Sequence, residues 1–188
     1  MPRNIEIKAR IESVEALASV AASLATHGPT VIDQDDTFFR CDTGRLKLRA
    51  FSASEGELIY YRRPDDSGPR ASFYLRSPTS APDVLRESLT LAYGQVGRVR
   101  KQRTLYLIGR TRVHLDRIDG LGEFLELEVV LGDEEPVEQG ATEADRLMRA
   151  LGIAPDQLIG SAYVDLIREK SVAPERERSI DGASSRFR

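Results

Sequence analysis

One short segment, FLELEVVL at residues 124–131, limits what this chain can fold into. Side chains of an extended strand alternate between two faces, so Leu125, Leu127 and Val129 share one face while Glu126 and Glu128 share the other. For an isolated segment, a strand with one buried and one wet face is the simplest interpretation. The same alternation of apolar and charged residues returns along the chain, which indicates a common architecture.

Alternating segments predict eight β-strands, and helical periodicity with capping residues predicts helices between and after them. The expected strands are residues 3–11, 35–41, 44–51, 57–63 and 71–77, a hairpin over 99–116 that turns at 108–110, and 123–131. The expected helices are residues 14–27, 82–93, 137–151 and 155–168. The fold class is therefore α+β and mainly antiparallel, and closure of eight strands into a barrel would remove exposed sheet edges.

The composition narrows the class of protein. With 188 residues, of which 40% are hydrophobic and 30% charged, we expect one globular domain at 1–170 and a disordered, apolar-poor tail at 171–188. The net charge of −3 argues against a nucleic-acid binder, and no apolar run reaches membrane length. The single Cys41 excludes an intramolecular disulfide. We find no signal-peptide pattern, so a cytoplasmic protein is expected.

The charges are sorted by strand. The third, fourth and sixth strands carry almost only cations, which are Arg45, Lys47, Arg49, Arg62 (or Arg63 in a shifted register), Lys101 and Arg103. Carboxylates concentrate on the first, seventh and eighth strands, as Glu6, Asp116, Glu126 and Glu128, beside Lys8 and Arg112.

Two architectures fit this pattern. The charged faces are exposed around an ordinary core, or they line a closed tunnel while the apolar faces point outward under the helices. The sorting favours the tunnel, because a merely soluble surface intersperses its charges.

A wall of Arg and Lys suits a polyanion, since both offer N–H donors to phosphate oxygens. Carboxylates in the same cavity would repel phosphate unless a cation lay between them. Carboxylate oxygens are the ligands that Mg²⁺ or Mn²⁺ accepts. The arrangement therefore predicts a metal–polyphosphate complex.

Six ordered motifs resemble the CYTH superfamily, the triphosphate tunnel metalloenzymes, over roughly residues 2–168. They are NIEIKAR, GRLKLR, LIYYRRPD, VRKQRTLY, TRVHLD and GLGEFLELE. The family includes class IV adenylate cyclases, thiamine triphosphatases and inorganic tripolyphosphatases. The resemblance implies an eight-stranded antiparallel tunnel that binds a triphosphate with divalent metal.

The resemblance also assigns roles to residues. It implies metal ligands at Glu6, Asp116, Glu126 and Glu128, and phosphate binders at Lys8, Arg45, Lys47, Arg49, Arg62, Lys101, Arg103 and Arg112. The family's Glu-x-Glu-x-Lys signature appears here as Asn4-x-Glu6-x-Lys8. An uncharged Asn4 is expected to weaken a second metal position.

The first functional hypothesis is hydrolysis of a small-molecule triphosphate with Mg²⁺ or Mn²⁺ by a monomer or homodimer, with Glu6, Lys8 and Glu126 as candidate catalytic residues. The rival is a class IV adenylate cyclase, which needs an adenine pocket that we cannot identify in the sequence. A polyphosphate-binding module without turnover and a non-catalytic barrel remain as further alternatives.

Overall fold

A barrel that closes on itself separates the charged faces of the strands from their apolar faces. The computed structural model describes residues 3–62 and 70–171. The strands are β1 (Arg3–Ile11), β2 (His27–Phe39), β3 (Arg45–Ser52), β4 (Glu55–Arg62), β5 (Arg70–Thr79), β6 (Gln95–Ile108), β7 (Thr111–Ile118) and β8 (Gly122–Val130). The helices are α1 (Val14–Leu24), α2 (Pro82–Tyr93) and α3 (Val137–Ala150), followed by a 3₁₀ turn at Pro155–Gln157 and by helical residues 163–171.

The strand order around the barrel is β1-β5-β4-β3-β2-β6-β7-β8, and β8 pairs back with β1. The ladders between these strands are antiparallel. Over the described residues, the predicted α+β fold with eight antiparallel strands in a closed barrel is confirmed. Closure also sets the register of the charged residues, since Glu6 lies opposite Glu128 and Lys8 lies opposite Glu126.

The main apolar core lies outside the barrel. Ile7, Leu115 and Leu127 have no exposed surface and belong to one cluster with Leu147 of α3. Each of these strand residues is flanked in sequence by residues of the opposite face, so burying them under helices turns the charged face inward. The helices are therefore required to cover an apolar outer surface.

A second apolar cluster forms where the C-terminal segment packs against the strands. Phe38, Val99 and Phe124 meet Tyr163 and Val164 there. The ring centroids of Phe124 and Tyr163 are 4.9 Å apart in an edge-on arrangement, which is a favourable geometry for aromatic pairs. The contact fixes the C-terminal segment on the barrel.

Strand β2 begins at His27, eight residues before its predicted start at position 35. Helix α1 ends at Leu24, three residues before its predicted end at position 27. His27, expected at the end of the helix, pairs instead with Leu107 of β6. Gly28 and Pro29 are signals that normally interrupt a strand. The ladder with β6 shifts register at this point, and residues 27–34 have no pairing with β3, so the missing N–H of Pro29 costs no ladder bond there.

The predicted helix at 155–168 is also wrong over its first half. After the 3₁₀ turn, Leu158 forms a bridge with Ala9, and the Ile159 N–H donates to the Lys8 carbonyl at 2.9 Å. Backbone hydrogen bonds to β1 thus replace helical ones, and the helix starts only at residue 163. Of the expected tail, Ser171 is helical, and residues 172–188 lie outside the described residues. None of the described helices is both long and apolar enough to cross a membrane.

Because the main apolar core lies between the barrel and the helices, substitutions there are expected to lower the free energy of unfolding most. Leu127→Ala, at a position with no exposed surface, is expected to lower the free energy of unfolding by about 2–5 kcal/mol because it opens a cavity under the helices. Leu75→Ala, on a side chain that is 53% exposed, is the control and should cost less than about 1 kcal/mol. Urea unfolding measures both. Equal costs would mean that the outer surface is not the core.

Candidate active site

The inward faces of all eight strands line one cavity of about 320 Å³, here called the tunnel. Successive lining residues of a strand are two positions apart, as the alternation requires. Among the described residues, the lining contains seven cations and five carboxylates. The cations are Lys8, Lys47, Arg49, Arg76, Lys101, Arg103 and Arg112, and the carboxylates are Glu6, Asp36, Glu57, Glu126 and Glu128.

The tunnel brings together most of the residues to which the sequence assigned a role. Those that line it are Glu6, Lys8, Lys47, Arg49, Lys101, Arg103, Arg112, Glu126 and Glu128. Their common location fits the predicted roles, which themselves stay predictions. Three assigned residues, Arg45, Arg62 and Asp116, are not in the lining.

Arg45 and Arg62 line a separate cavity of about 650 Å³ beside the β2–β3 turn. Arg45 shares a strand face with Lys47, but its guanidinium pairs with Asp165 of the C-terminal helix at 2.8 Å. Arg62 is exposed because the neighbouring Tyr61 is the β4 residue that faces the tunnel. The alternative in the shifted register, Arg63, lies outside the described residues.

Asp116 lies behind the lining and has no exposed side-chain surface. Its oxygens accept from Lys101 Nζ at 2.8 Å and from Arg103 Nε and Nη2 at 2.7 and 2.6 Å. Burial raises the pKa of this carboxyl, but the Arg103 and Lys101 charges outweigh burial and hold the pKa at about 2. Both oxygens are thus engaged by cations, as those of Glu126 also are, and the role of Asp116 as a metal ligand stays a prediction.

Glu126 lies in the tunnel lining beside Glu128, two positions along the same face of β8, and these two residues are here called the acidic group. Glu126 Oε1 lies 3.3 Å from Lys8 Nζ, and Arg103 donates to Oε2. Although burial raises the pKa of Glu126, the charges of Lys101, Lys8 and Arg103 hold it well below its usual value. Glu126 is therefore a carboxylate at all ordinary pH values.

His114 lies beside both glutamates of β8, with its Nδ1 4.0 Å from Glu126 Oε2 and 3.8 Å from Glu128 Oε1. Ligand atoms of His114, Glu126 and Glu128 lie within 4.8 Å of one another, which is close enough for one ion to contact all three. His114 Nδ1 is buried and has no hydrogen-bond partner among the described residues. Burial, reinforced by the Arg103 charge, holds the pKa of His114 well below its usual value, so the imidazole is neutral. A neutral imidazole nitrogen with two carboxylates is a fitting donor set for a divalent cation.

Asn4 lies on the same face of β1 as Glu6 and Lys8, and only 4% of its surface is exposed. Its Oδ1 is buried without a hydrogen-bond partner among the described residues. A carbonyl oxygen in this place can face a cation but contributes no charge, and the weakened second metal position stays a prediction.

Several lining residues escaped sequence reasoning. Asp36 lies two residues before Phe38 on β2, so alternation alone would have placed both on the same face. Arg76 lies on a predicted strand to whose charged face no role was assigned. Glu57 was missed as well. Alternation places His114 on the same strand face as Arg112, but nothing in the sequence assigns it a catalytic role. Tyr163 lies within the helix predicted at 155–168, and Lys8 Nζ lies 4.0 Å from its ring centroid, which makes Tyr163 part of the tunnel wall.

The donor set predicts how metal binding depends on single residues. Glu128→Gln removes a charged ligand and is expected to weaken Mn²⁺ binding by roughly 10-fold or more. Glu87→Gln, on the exposed face of α2, is the control and should leave it unchanged. Calorimetric titration of Mn²⁺ without substrate measures the affinity. Equal affinities in the two variants would remove Glu128 from the site.

Comparison with known proteins supports the same family. The CYTH domain model matches residues 2–163. The adenylate cyclase CyaB of Aeromonas hydrophila is 28% identical over 181 residues, which is 88% of each chain. A solved protein of Pyrococcus horikoshii OT3 superimposes with a TM-score of 0.77 at 21% identity, over 87% of this chain and 98% of that one.

A further solved structure comes from a plant. HpAC1 of Hippeastrum superimposes with a TM-score of 0.62 at 19% identity, over 89% of this chain and 96% of that one, and its description reports a dominant triphosphatase activity for that protein. At such identities the superpositions show the fold, whereas the domain model covers most of the chain. The chain therefore belongs to the CYTH family.

Proposed function

We propose that this protein is a divalent-metal-dependent hydrolase of a triphosphate bound in the tunnel. The observation that supports the proposal best is a single cavity whose described lining holds seven cations together with the His114–Glu126–Glu128 group. The cations match the oxygens of a phosphate chain, and the donor group matches a cation that bridges the chain to the protein.

The cations of the chain would bind and orient the phosphates. Lys8 and Arg103 already contact Glu126, so a phosphate held by them would lie beside the acidic group. Mg²⁺ or Mn²⁺, held by Glu126, Glu128 and His114, would polarise a phosphoryl oxygen and offset its charge. N–H donors that are fixed before the substrate arrives stabilise developing charge without reorganisation.

The carboxylates would divide the remaining tasks. Glu126 is fixed by two cations, which suits an anchor or ligand better than a group that must reorient. Glu6 lies on the adjacent strand opposite Glu128 and faces the same cavity. We therefore assign to Glu6 the orientation of the attacking water.

A class IV adenylate cyclase is the second candidate, and the relationship to CyaB over 88% of both chains favours it. In that reaction the ribose 3′-hydroxyl replaces water as the nucleophile, and pyrophosphate leaves. The two reactions use the same phosphate-binding residues, so the organic product has to distinguish them.

A substrate panel tests the proposal. With Mn²⁺ or Mg²⁺, tripolyphosphate, thiamine triphosphate and ATP are each expected to release inorganic phosphate, to different extents, and chelation by EDTA should stop the release. Chromatography of the ATP products separates ADP from cyclic AMP. Cyclic AMP with pyrophosphate would establish the cyclase instead, and binding without any product would establish a binding module.

The pKa of Lys47 predicts that the activity falls at alkaline pH. Burial lowers the pKa of Lys47, and the charges of Arg49 and Lys101 lower it further, whereas Asp36 raises it. The resulting pKa is about 8. The Lys47 ammonium also lies 5.7 Å from the centroid of the Tyr61 ring. The charged form exists below this pH and is lost above it. Therefore kcat/KM for tripolyphosphate should fall above pH 8, by up to about tenfold per pH unit.

Lys47→Arg is the matched variant for this test, because a guanidinium stays protonated to far higher pH. Its kcat/KM should decline only at higher pH than in the wild type. Because both proteins act on the same substrate, ionisation of tripolyphosphate itself affects both curves equally. An alkaline limb at the same pH in both would assign the titration to another group.

A further inference from the structure

Asp36 of β2 binds both tunnel cations of the neighbouring strand β3. Its Oδ2 accepts from Lys47 Nζ at 2.8 Å and from Arg49 Nη2 at 2.8 Å. Its Oδ1 accepts from Arg49 Nε at 2.7 Å. Asp36 and Arg49 are direct partners in the ladder between β2 and β3.

A second group repeats this arrangement atom for atom on another pair of strands. Asp116 Oδ2 accepts from Lys101 Nζ and Arg103 Nη2, and its Oδ1 accepts from Arg103 Nε. Asp116 and Arg103 are again direct ladder partners. In both groups a Lys-x-Arg pair on one strand is held by one aspartate of the adjacent strand, and we call each group a clamp.

Both aspartates are buried, with side-chain exposures of 4% for Asp36 and 0% for Asp116. A buried carboxylate is unfavourable unless charges and hydrogen bonds compensate it, and three N–H donors do so in each clamp. The same contacts occupy Nε and one terminal nitrogen of each arginine. The clamp contacts do not use the other terminal nitrogen of either arginine, and that of Arg49 lies 4.0 Å from Glu57 Oε1, another residue of the tunnel lining.

We propose that Asp36 and Asp116 are positioning residues that hold the two Lys-x-Arg pairs in the geometry that binds phosphate. This rests on the proposed function, since it specifies how the tunnel holds its triphosphate. Lysine and arginine side chains lose much rotamer freedom when they are fixed in one place. The clamps impose that loss on folding, so that binding of the substrate does not include it.

The alternative is that each aspartate only lowers the positive charge of the tunnel. The two possibilities predict opposite signs. If charge alone mattered, Asp36→Asn would add positive charge and tighten the binding of a polyanion. If positioning matters, the same substitution weakens binding, because Lys47 and Arg49 lose their common anchor.

The test measures tripolyphosphate in two ways: KM and kcat with Mn²⁺, and the dissociation constant by calorimetry in EDTA. Asp36→Asn is expected to raise KM and the dissociation constant by roughly 10- to 100-fold, as for removal of groups that orient ligand-binding residues. The kcat should change little, because the lost interaction is binding in the ground state and transition state alike. Asp116→Asn should raise KM in the same direction. Tighter binding or an unchanged KM in Asp36→Asn would overturn the proposal.

Asp35→Asn is the matched control. Asp35 is the adjacent residue on the outer face of β2, where its Oδ1 accepts from Arg98 Nε at 2.6 Å. The substitution removes the same charge, together with the ion pairs to Arg86, Arg98 and Arg100, without touching a clamp, so KM should not change. A second control combines Asp36→Asn with Lys47→Met, and there the aspartate substitution should cost less than in the wild type. Equal costs would mean that Asp36 does not act through Lys47.

One measurement needs no ligand. By NMR of the Lys47 ammonium in the free protein, Asp36→Asn should lower its pKa below 8, whereas Asp35→Asn should not. If the wild type binds none of tripolyphosphate, thiamine triphosphate and ATP with Mn²⁺ present, the proposed function is wrong, and this titration still decides whether Asp36 holds Lys47. An unchanged pKa would overturn the clamp itself.

Discussion

Pairing of buried charges is the constraint on which the rest of this structure depends. A cation inside a closed barrel loses its hydration, and the loss is tolerable only when a carboxylate is close enough to compensate it. Asp36, Asp116 and Glu126 meet this requirement, each in contact with at least two cations. A tunnel lined with buried cations must therefore also contain carboxylates of its own.

Filling the inside with charge forces the apolar faces outward, and this determines the role of the helices. Leu127 and Leu115 are buried only because α1 and α3 pack over β7, β8 and β1. The C-terminal segment has a different task, since it reaches the tunnel itself. Lys8 Nζ donates to the Ser161 carbonyl at 3.3 Å and lies over the Tyr163 ring. The segment after α3 thereby completes the surroundings of a residue at the start of the chain.

The sequence predicted the strands and the inward face of most of them because alternation is a local property that one segment reveals alone. What it missed depends on neighbours. Alternation places Asp116 on the tunnel face of β7. Only the ladder with β6 shows that Arg103 lies opposite Asp116 and donates to its carboxylate. Arg62 was assigned to the tunnel face of its strand, but Tyr61 is the residue that faces the tunnel there. Tyr60 and Tyr61 place an aromatic residue on each face, so the pattern did not distinguish the two faces. The start of β2 was missed because Gly28 and Pro29 normally end regular structure, and the register shift that accommodates them belongs to the partner strand.

The balance of charge in the tunnel explains why a metal belongs in the proposed reaction. In the part of the chain that the structure describes, seven lining cations face five lining carboxylates, and Asp116 behind them makes six. The interior is thus almost neutral without ligand, which suits a stable barrel but provides little net attraction for a polyanion. A divalent cation at His114, Glu126 and Glu128 would add the missing positive charge beside the phosphates. Glu126 is then both one of the carboxylates that stabilise the barrel and one of the groups that would hold the metal, so metal is expected to tighten the binding of the proposed substrate.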